Sequence, residues 1–134
     1  MPRLLPNDET AFPDEKFADE DGLLAVGGDL SVDRLLAAYR RGIFPWYSEG
    51  LPVLWWTPDP RFVLFPDRLH VSTSMRRVLN RAEYRITFDT AFEQVIGSCR
   101  KARRSEKGTW ITDAIVEGYA ALHEAGYAHS VEAW

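Results

Sequence analysis

The residues best suited to chemistry lie between Gly42 and Arg61, where GIFPWYSEGLPVLWWTPDPR places three tryptophans, four prolines and two glycines in twenty positions. Trp46, Trp55 and Trp56 offer wide flat faces. Pro45, Pro52, Pro58 and Pro60 each fix φ near about −65° and remove a backbone donor, so this stretch reads as a stiff, largely non-helical frame. A stiff aromatic frame suits a planar ligand. Bases stacked on aromatic rings gain roughly 1–3 kcal/mol each without any reading of sequence, which makes the end of a nucleic acid a natural occupant. The same tryptophans would equally serve as anchors of a small core. Residue types alone leave both roles open.

Cations capable of meeting phosphate fall in two segments: Arg76, Arg77 and Arg81, and then Arg100, Lys101, Arg103, Arg104 and Lys107. They sit in a chain of net charge −4, which argues against indiscriminate coating of nucleic acid. The asymmetry matters more. Residues 1–33 carry nine acids against Arg3 and Lys16, whereas residues 61–134 carry eleven bases against nine acids. Local phosphate contact therefore remains open to the second half.

Other reactive constellations are sparse. His70, His123 and His129 lack metal-ligand spacing, and neither CxxC nor HExxH occurs, so no metal site is expected. No GxSxG elbow is present. His123 is expected to favour a helix dipole, and His129, beside Ser130 and Glu132, either orients a reacting group or is a satisfied structural histidine. Gly27 and Gly28 read as a tight turn, since neither a GxGxxG spacing nor a lysine-serine pair accompanies them. Cys99 is the only cysteine; with Phe92, Val95 and Ile96 on one helical side, it is expected to fill core.

The elements that must position these groups follow from periodicity. Residues 1–21 show no sustained pattern and read as an extended lead-in. Ser31 caps a helix carrying Val32, Leu35, Leu36 and Tyr39 and stopped by Gly42. Val53–Trp56 and Phe62–Phe65 have strand composition, each closed by a proline, which suggests short or edge strands and a domain boundary near residue 60. Ser72 or Ser74 opens a helix with Met75, Val78, Leu79 and Ala82 inward and Arg76, Arg77 and Arg81 outward, either as a contact face or as a merely solvated one. Tyr84, Ile86 and Phe88 alternate as a strand ending at Asp89, which would cap a helix through Phe92, Val95, Ile96 and Cys99. Thr112 caps a further helix, with Ile111 and Val116 as a hydrophobic staple and Gly126 past its end. A strand opens after Tyr127.

With 46% apolar and 27% charged residues in 134 positions, the chain has the balance of one ordinary soluble domain, or of one small domain and part of another. No apolar run approaches the about 20 residues that span a bilayer, and no signal-peptide core follows Met1. The single cysteine fits a reducing compartment, so a cytoplasmic location is expected.

The phrases GLLAVGGDLS, LLAAYRRGIFPWY, LPVLWWTPDPR, TWIT and LHEAGYAHSVEAW, in this order from about residue 11 to the last, resemble the leucyl/phenylalanyl-tRNA-protein transferases. The resemblance implies transfer of leucine or phenylalanine from aminoacyl-tRNA to the N-terminal arginine or lysine of an acceptor protein, marking it for degradation by the N-degron pathway. It implies an α+β architecture with a small N-terminal domain, 1–60, followed by the first part of an acetyltransferase-like (GNAT) domain, 61–134. It implies no metal or nucleotide cofactor. By the same resemblance, Trp46 and Trp110 line the site of the terminal adenosine, and Arg76, Arg77 and Arg81 contact the acceptor stem. Thr73 and Asn80 share that face at positions where relatives carry a basic residue, so tRNA affinity is expected either to be weaker or to draw on the Arg100–Lys107 loop.

An aminoacyl ester is already activated, and orienting a neutral amine at its carbonyl supplies about 7–11 kcal/mol in favourable cases. A proton acceptor and oxyanion donors are still required. In the family these groups, with the apolar pocket for the amino acid, follow AHSVE in glycine-rich, GESMFS-like and IDCQ-like phrases absent here. The catalytic residues are therefore expected outside this sequence, and the chain alone is expected to transfer no amino acid. Two competing classes remain: a non-catalytic module binding the tRNA acceptor stem, and an acyl-CoA acetyltransferase, disfavoured by the lack of a pyrophosphate loop. An open sheet edge would favour self-association.

Overall fold

An apolar run bracketed by glycines, Leu23–Gly27, forms an interior strand of the larger sheet in the computed structural model, which describes residues 2–102 and 109–134. Numbering strands and helices along the chain, this is β2, after β1 (Arg3–Leu5); α1 (Val32–Tyr39), β3 (Phe44–Pro45) and β4 (Leu54–Trp56) follow. The four strands form one sheet in the order β1-β2-β4-β3, with β1 parallel to β2 and the other pairs antiparallel. The lead-in expected before Gly22 thus contains a paired strand. Three residues are too few to display a period, and the partner, Ala25–Gly27, lies about twenty positions away.

Ser31 caps α1 by accepting from the Arg34 amide, as its residue type demands, and Gly42, at φ 69°, stands just beyond its end. Leu35 and Ala38 pack with Leu24, Ala25, Ile43 and Trp55. Trp55 is fully buried, meets Phe12 edge-on with centroids 4.9 Å apart, and donates its indole hydrogen to the Gly27 carbonyl at 2.9 Å. Arg34 is buried as well. Its Nε donates to Asp29 at 3.0 Å and its Nη2 to the Pro6 carbonyl at 2.7 Å, tying the N-terminal segment to the Gly27–Asp29 turn.

The second half holds α2 (Thr73–Arg81), β5 (Ile86–Phe88), α3 (Phe92–Ala102), α4 (Asp113–Glu124) and β6 (Val131–Ala133), with β5 and β6 paired antiparallel. Thr112 caps α4 by accepting from the Ile115 amide and also bonds the Tyr47 hydroxyl at 3.1 Å. The expected staple pair, Ile111 and Val116, belongs to one apolar cluster with Tyr47 and Ile115, and Leu122 at the far end of α4 enters the core of the first sheet. This α+β assembly therefore shares its core between early and late sequence.

Four further expectations are overturned. Phe62–Phe65 is extended but unpaired, because Pro60 and Pro66 flank it and no described strand lies alongside. On α2, Met75 and Leu79 are exposed and no residue is buried: the inward stripe is real as a pattern but has nothing among the described residues to face. Cys99 is exposed, since the α3 stripe to which it belongs borders shallow clefts that no described side chain fills. Asp89 does not cap α3. It adopts φ 55° and accepts instead from the Ser130 amide at 2.9 Å and from His129 at 2.8 Å.

Candidate functional site

The helix stop at Gly42 turns the chain into β3, and β3 pairs with β4 so that Phe44 lies opposite Trp56 and Pro45 opposite Trp55. Alternation then decides the fate of each tryptophan. Trp55 points into the core, Trp56 is half-buried and donates its indole hydrogen to the Trp46 carbonyl at 2.7 Å, and Trp46 itself is 56% exposed. The frame is thus neither all core nor all surface. One tryptophan anchors it, one braces it, and one is presented.

Trp46 borders a cleft of about 390 Å³ lined also by Tyr39, Phe44, Pro45, Arg61 and Trp110. Trp110 arrives from just before the N-cap of α4, a position fixed by the Tyr47–Thr112 bond and by the apolar cluster around Ile111 and Ile115. Two tryptophans sixty-four positions apart in sequence therefore share one cavity wall. The far side of Trp46 borders a second cleft of about 460 Å³ with Asp21, Leu51, Trp56 and Pro58. Flat faces with few polar groups at a half-open cleft are suited to stacking a base.

Polar character comes from two sources. The Tyr39 and Tyr119 hydroxyls hydrogen-bond each other, with rings edge-to-face at 6.3 Å, linking α1 to α4 beside the cleft. Burial raises the Tyr39 phenol above its ordinary range, against the opposing pull of the Tyr119 hydrogen bond and the Arg61 charge; burial likewise pushes Tyr119 upward. Both remain neutral donors at physiological pH. Among the described residues, Arg61 supplies the one charge on the lining, its Nη1 donating to the Gly42 carbonyl at 2.6 Å.

The basic helix is also as expected in one respect. Arg76, Arg77 and Arg81 are all exposed on α2, although Arg81 is engaged by Glu83 at 3.3 Å. The supplementary loop is less free than its composition suggests: Arg100, in the last turn of α3, pairs with Asp113 in the first turn of α4, a placement both helix dipoles favour. Arg103, Arg104 and Lys107 lie outside the described residues.

The titratable groups around the β5–β6 pair are structural. His123 stacks on Phe92 at 4.1 Å, and its Nδ1 lies 2.7 Å from the Ala128 carbonyl. Glu132, 6% exposed, accepts from Ser130 at 2.5 Å, Thr87 at 2.6 Å, Thr90 at 2.9 Å and the Ala91 amide at 3.3 Å. Those donors, Ser130 first, hold its carboxyl at about 2, against an ordinary 4.5. His129 is held by Asp89, so this cluster braces β5 against β6 rather than presenting a reactive group. Among the described residues no group of three or more metal-ligating side chains comes together. Sequence reasoning missed Tyr39 and Arg61 as lining residues, and Tyr119 as the hydroxyl partner of Tyr39. For Tyr39 the signal was there: it ends the α1 stripe immediately before the glycine stop, so its ring falls at the mouth of whatever the frame encloses.

Residues 63–134 match the family model described as leucyl/phenylalanyl-tRNA protein transferase, and residues 28–59 match that of its N-terminal domain. The chain is 57% identical over 137 residues to the leucyl/phenylalanyl-tRNA--protein transferase of Myxococcus xanthus, covering 100% of this chain and 58% of that protein. It is 55% identical over 135 residues to the protein of the same name from Syntrophobacter fumaroxidans, again covering 100% and 58%. With the Syntrophus aciditrophicus protein it shares 58% identity over 124 residues, 92% of this chain and 52% of that one. The chain spans between half and three-fifths of the length of these curated relatives.

Proposed function

Because the chain belongs to the leucyl/phenylalanyl-tRNA protein transferase family, we propose that the cleft between Trp46 and Trp110 receives the terminal adenosine of an aminoacyl-tRNA. The observation that carries this reading is the convergence of those two tryptophans, with Tyr39 and Phe44, on one half-open cavity. Stacking seats the base without needing an orienting code, and the aminoacyl ester on its ribose is then fixed relative to the protein. In the whole protein the α-amine of an acceptor attacks that ester carbonyl, the carbonyl oxygen takes the charge, and collapse releases the ribose hydroxyl. Leucine or phenylalanine is thereby joined to an N-terminal arginine or lysine, a mark for N-degron degradation in the cytoplasm.

The groups that accept the amine's proton and bind the oxyanion belong, on this reading, to the length by which relatives exceed this chain. The exposed apolar residues support that division: Phe62, Leu64, Phe65 and Leu69, the α2 stripe, and Ile86, Phe88 and Val131 on one side of the β5–β6 pair. We assign residues 61–134 to the first part of an acetyltransferase-like (GNAT) domain that packs its remainder on this surface, and residues 1–60 to the small N-terminal domain. Arg76, Arg77 and Arg81 take the acceptor stem.

The second reading is a non-catalytic tRNA-binding module, which would use the same aromatic cleft and the exposed arginines of α2. Titration of the purified chain with leucyl-tRNA, followed by tryptophan fluorescence at several salt concentrations, tests both. Saturable, salt-sensitive binding that weakens when Arg76 and Arg77 are reversed to glutamate is expected, with the salt slope falling by about 1 for each phosphate that is no longer neutralised. Absence of binding by the folded chain removes the adenosine assignment; transfer of leucine to an arginyl peptide removes the placement of catalysis outside it. Coenzyme A binding without tRNA binding would favour acetyl transfer.

A further inference from the structure

We propose that Arg61 is the phosphate-binding residue of the aromatic cleft, its guanidinium engaging the phosphate on the 5′ oxygen of the stacked nucleoside. The inference rests on the adenosine reading above and adds a second subsite to it. Of the described residues lining the cleft, Arg61 alone carries charge. Arg34, Arg41, Arg81 and Arg100 each have a carboxylate partner within 3.3 Å; Arg61, like Arg76 and Arg77 on α2, has none among the described residues, and it is the one of these three that lines the cleft.

The side chain is nonetheless held in place. Nη1 spends one hydrogen on the Gly42 carbonyl at 2.6 Å, and the guanidinium lies over the Phe44 ring at 5.0 Å. Gly42 makes this approach available. A Cβ there would come 2.9 Å from Nη1, and its φ of 69° is one that glycine adopts without strain. A guanidinium has five N–H donors in a rigid fork, and the four left over match the geometry of a phosphate. An arginine fixed by a carbonyl and a ring, unpaired with any described carboxylate and set beside stacking faces, is arranged to receive an anion carried by a planar group.

A stacked base by itself does not distinguish a nucleoside from a nucleotide, since every base has a π-face. The cation supplies that distinction. In the 3′-terminal residue of an RNA, the 5′ side bears the phosphodiester and the ribose hydroxyls are the ester-bearing positions. A guanidinium on the phosphate side therefore also sets which end of the ribose faces outward for reaction.

Calorimetric titration of the folded chain with adenosine, 5′-AMP and a short RNA ending in adenosine tests the assignment and separates a free nucleotide from an RNA end. The parent chain is expected to bind AMP about 10- to 100-fold more tightly than adenosine, the range of a charge-assisted hydrogen-bonded contact. Arg61→Gln is expected to erase that preference while retaining adenosine binding, which also certifies an intact cleft; Arg61→Lys is expected to keep part of it. The RNA should follow AMP or exceed it. Equal affinity of the parent for AMP and adenosine, or an AMP preference that survives in Arg61→Gln, overturns the proposal while leaving the adenosine reading standing. If the folded parent binds neither AMP nor adenosine, the stacking assignment itself fails, and Arg61 falls with it. Tighter binding of AMP than of the RNA would identify a free-nucleotide site and overturn the link to an RNA end.

Discussion

Replacing Trp46 by alanine should uncouple binding from stability in a way that Trp55→Ala cannot. Trp46 is 56% exposed, and the hydrogen bond it receives from Trp56 ends on its backbone carbonyl, which alanine retains. A large aromatic side chain removes about 200 Å² from water when fully buried, so less than half of that, at about 25 cal/mol per Å², limits the loss to about 2 kcal/mol. Trp55 is fully buried, contacts Phe12 and bonds the Gly27 carbonyl, so its truncation falls in the about 3–5 kcal/mol range of large core deletions. Loss of one stacking face costs about 1–3 kcal/mol, or about 5- to 150-fold in the affinity for an adenine nucleotide. Trp110→Ala should show a comparable binding loss with a larger stability cost, because Trp110 also packs against the Tyr47–Ile115 cluster. Urea denaturation gives the first quantity and calorimetric titration with AMP the second. Unchanged AMP affinity in folded Trp46→Ala and Trp110→Ala would refute the stacking argument outright.

Acid sensitivity should concentrate at the β5–β6 pair. The Glu132 carboxyl is depressed to about 2 from 4.5, so its stabilising contribution is complete above 4.5 and is lost as pH falls through that interval. Amide exchange at Asp89 and Trp134, whose backbone bonds close the pair, should therefore accelerate over this window in the parent and change less in Glu132→Gln; parallel profiles would contradict the assignment. In α4, Gly118→Ala should destabilise despite the about 1 kcal/mol helix-propensity gain, since the new Cβ would sit 2.9 Å from the Leu30 carbonyl oxygen and overpacking costs about 1–3 kcal/mol. A urea midpoint equal to or above that of the parent would show that the close approach of α4 to that turn is not required.

Local chemistry was the legible part of this fold. Ser31, Ser72 and Thr112 cap the helices their residue types announce, because a side-chain oxygen at an N-terminus needs only the next three residues to act. The cleft was legible through Trp46 and Trp110, whose union depended on family phrases rather than on spacing. Failures occurred wherever the answer lay in a distant partner. Nothing near Leu4 reveals that Val26 will pair with it, and the apolar period of α2 states which side should be covered without stating by what. Arg34 is the extreme case: its sequence neighbours give no hint of burial, and its ligand, the Pro6 carbonyl, is twenty-eight positions away. Arg61 sits in an exposed segment and acquires its meaning only from Gly42 and Phe44.

The late arrival of α4 bears on how the protein is made. The first sheet is fully translated at Trp56, yet Leu122 is needed to finish its core, and Thr112 and Tyr119 supply the hydroxyl partners of Tyr47 and Tyr39. At ribosomal rates of about 5–20 residues per second, the nascent sheet waits on the order of several seconds with an apolar flank uncovered. The charge distribution suits that interval: residues 1–33 carry nine acids against two bases, and like net charge on neighbouring nascent chains opposes their adhesion.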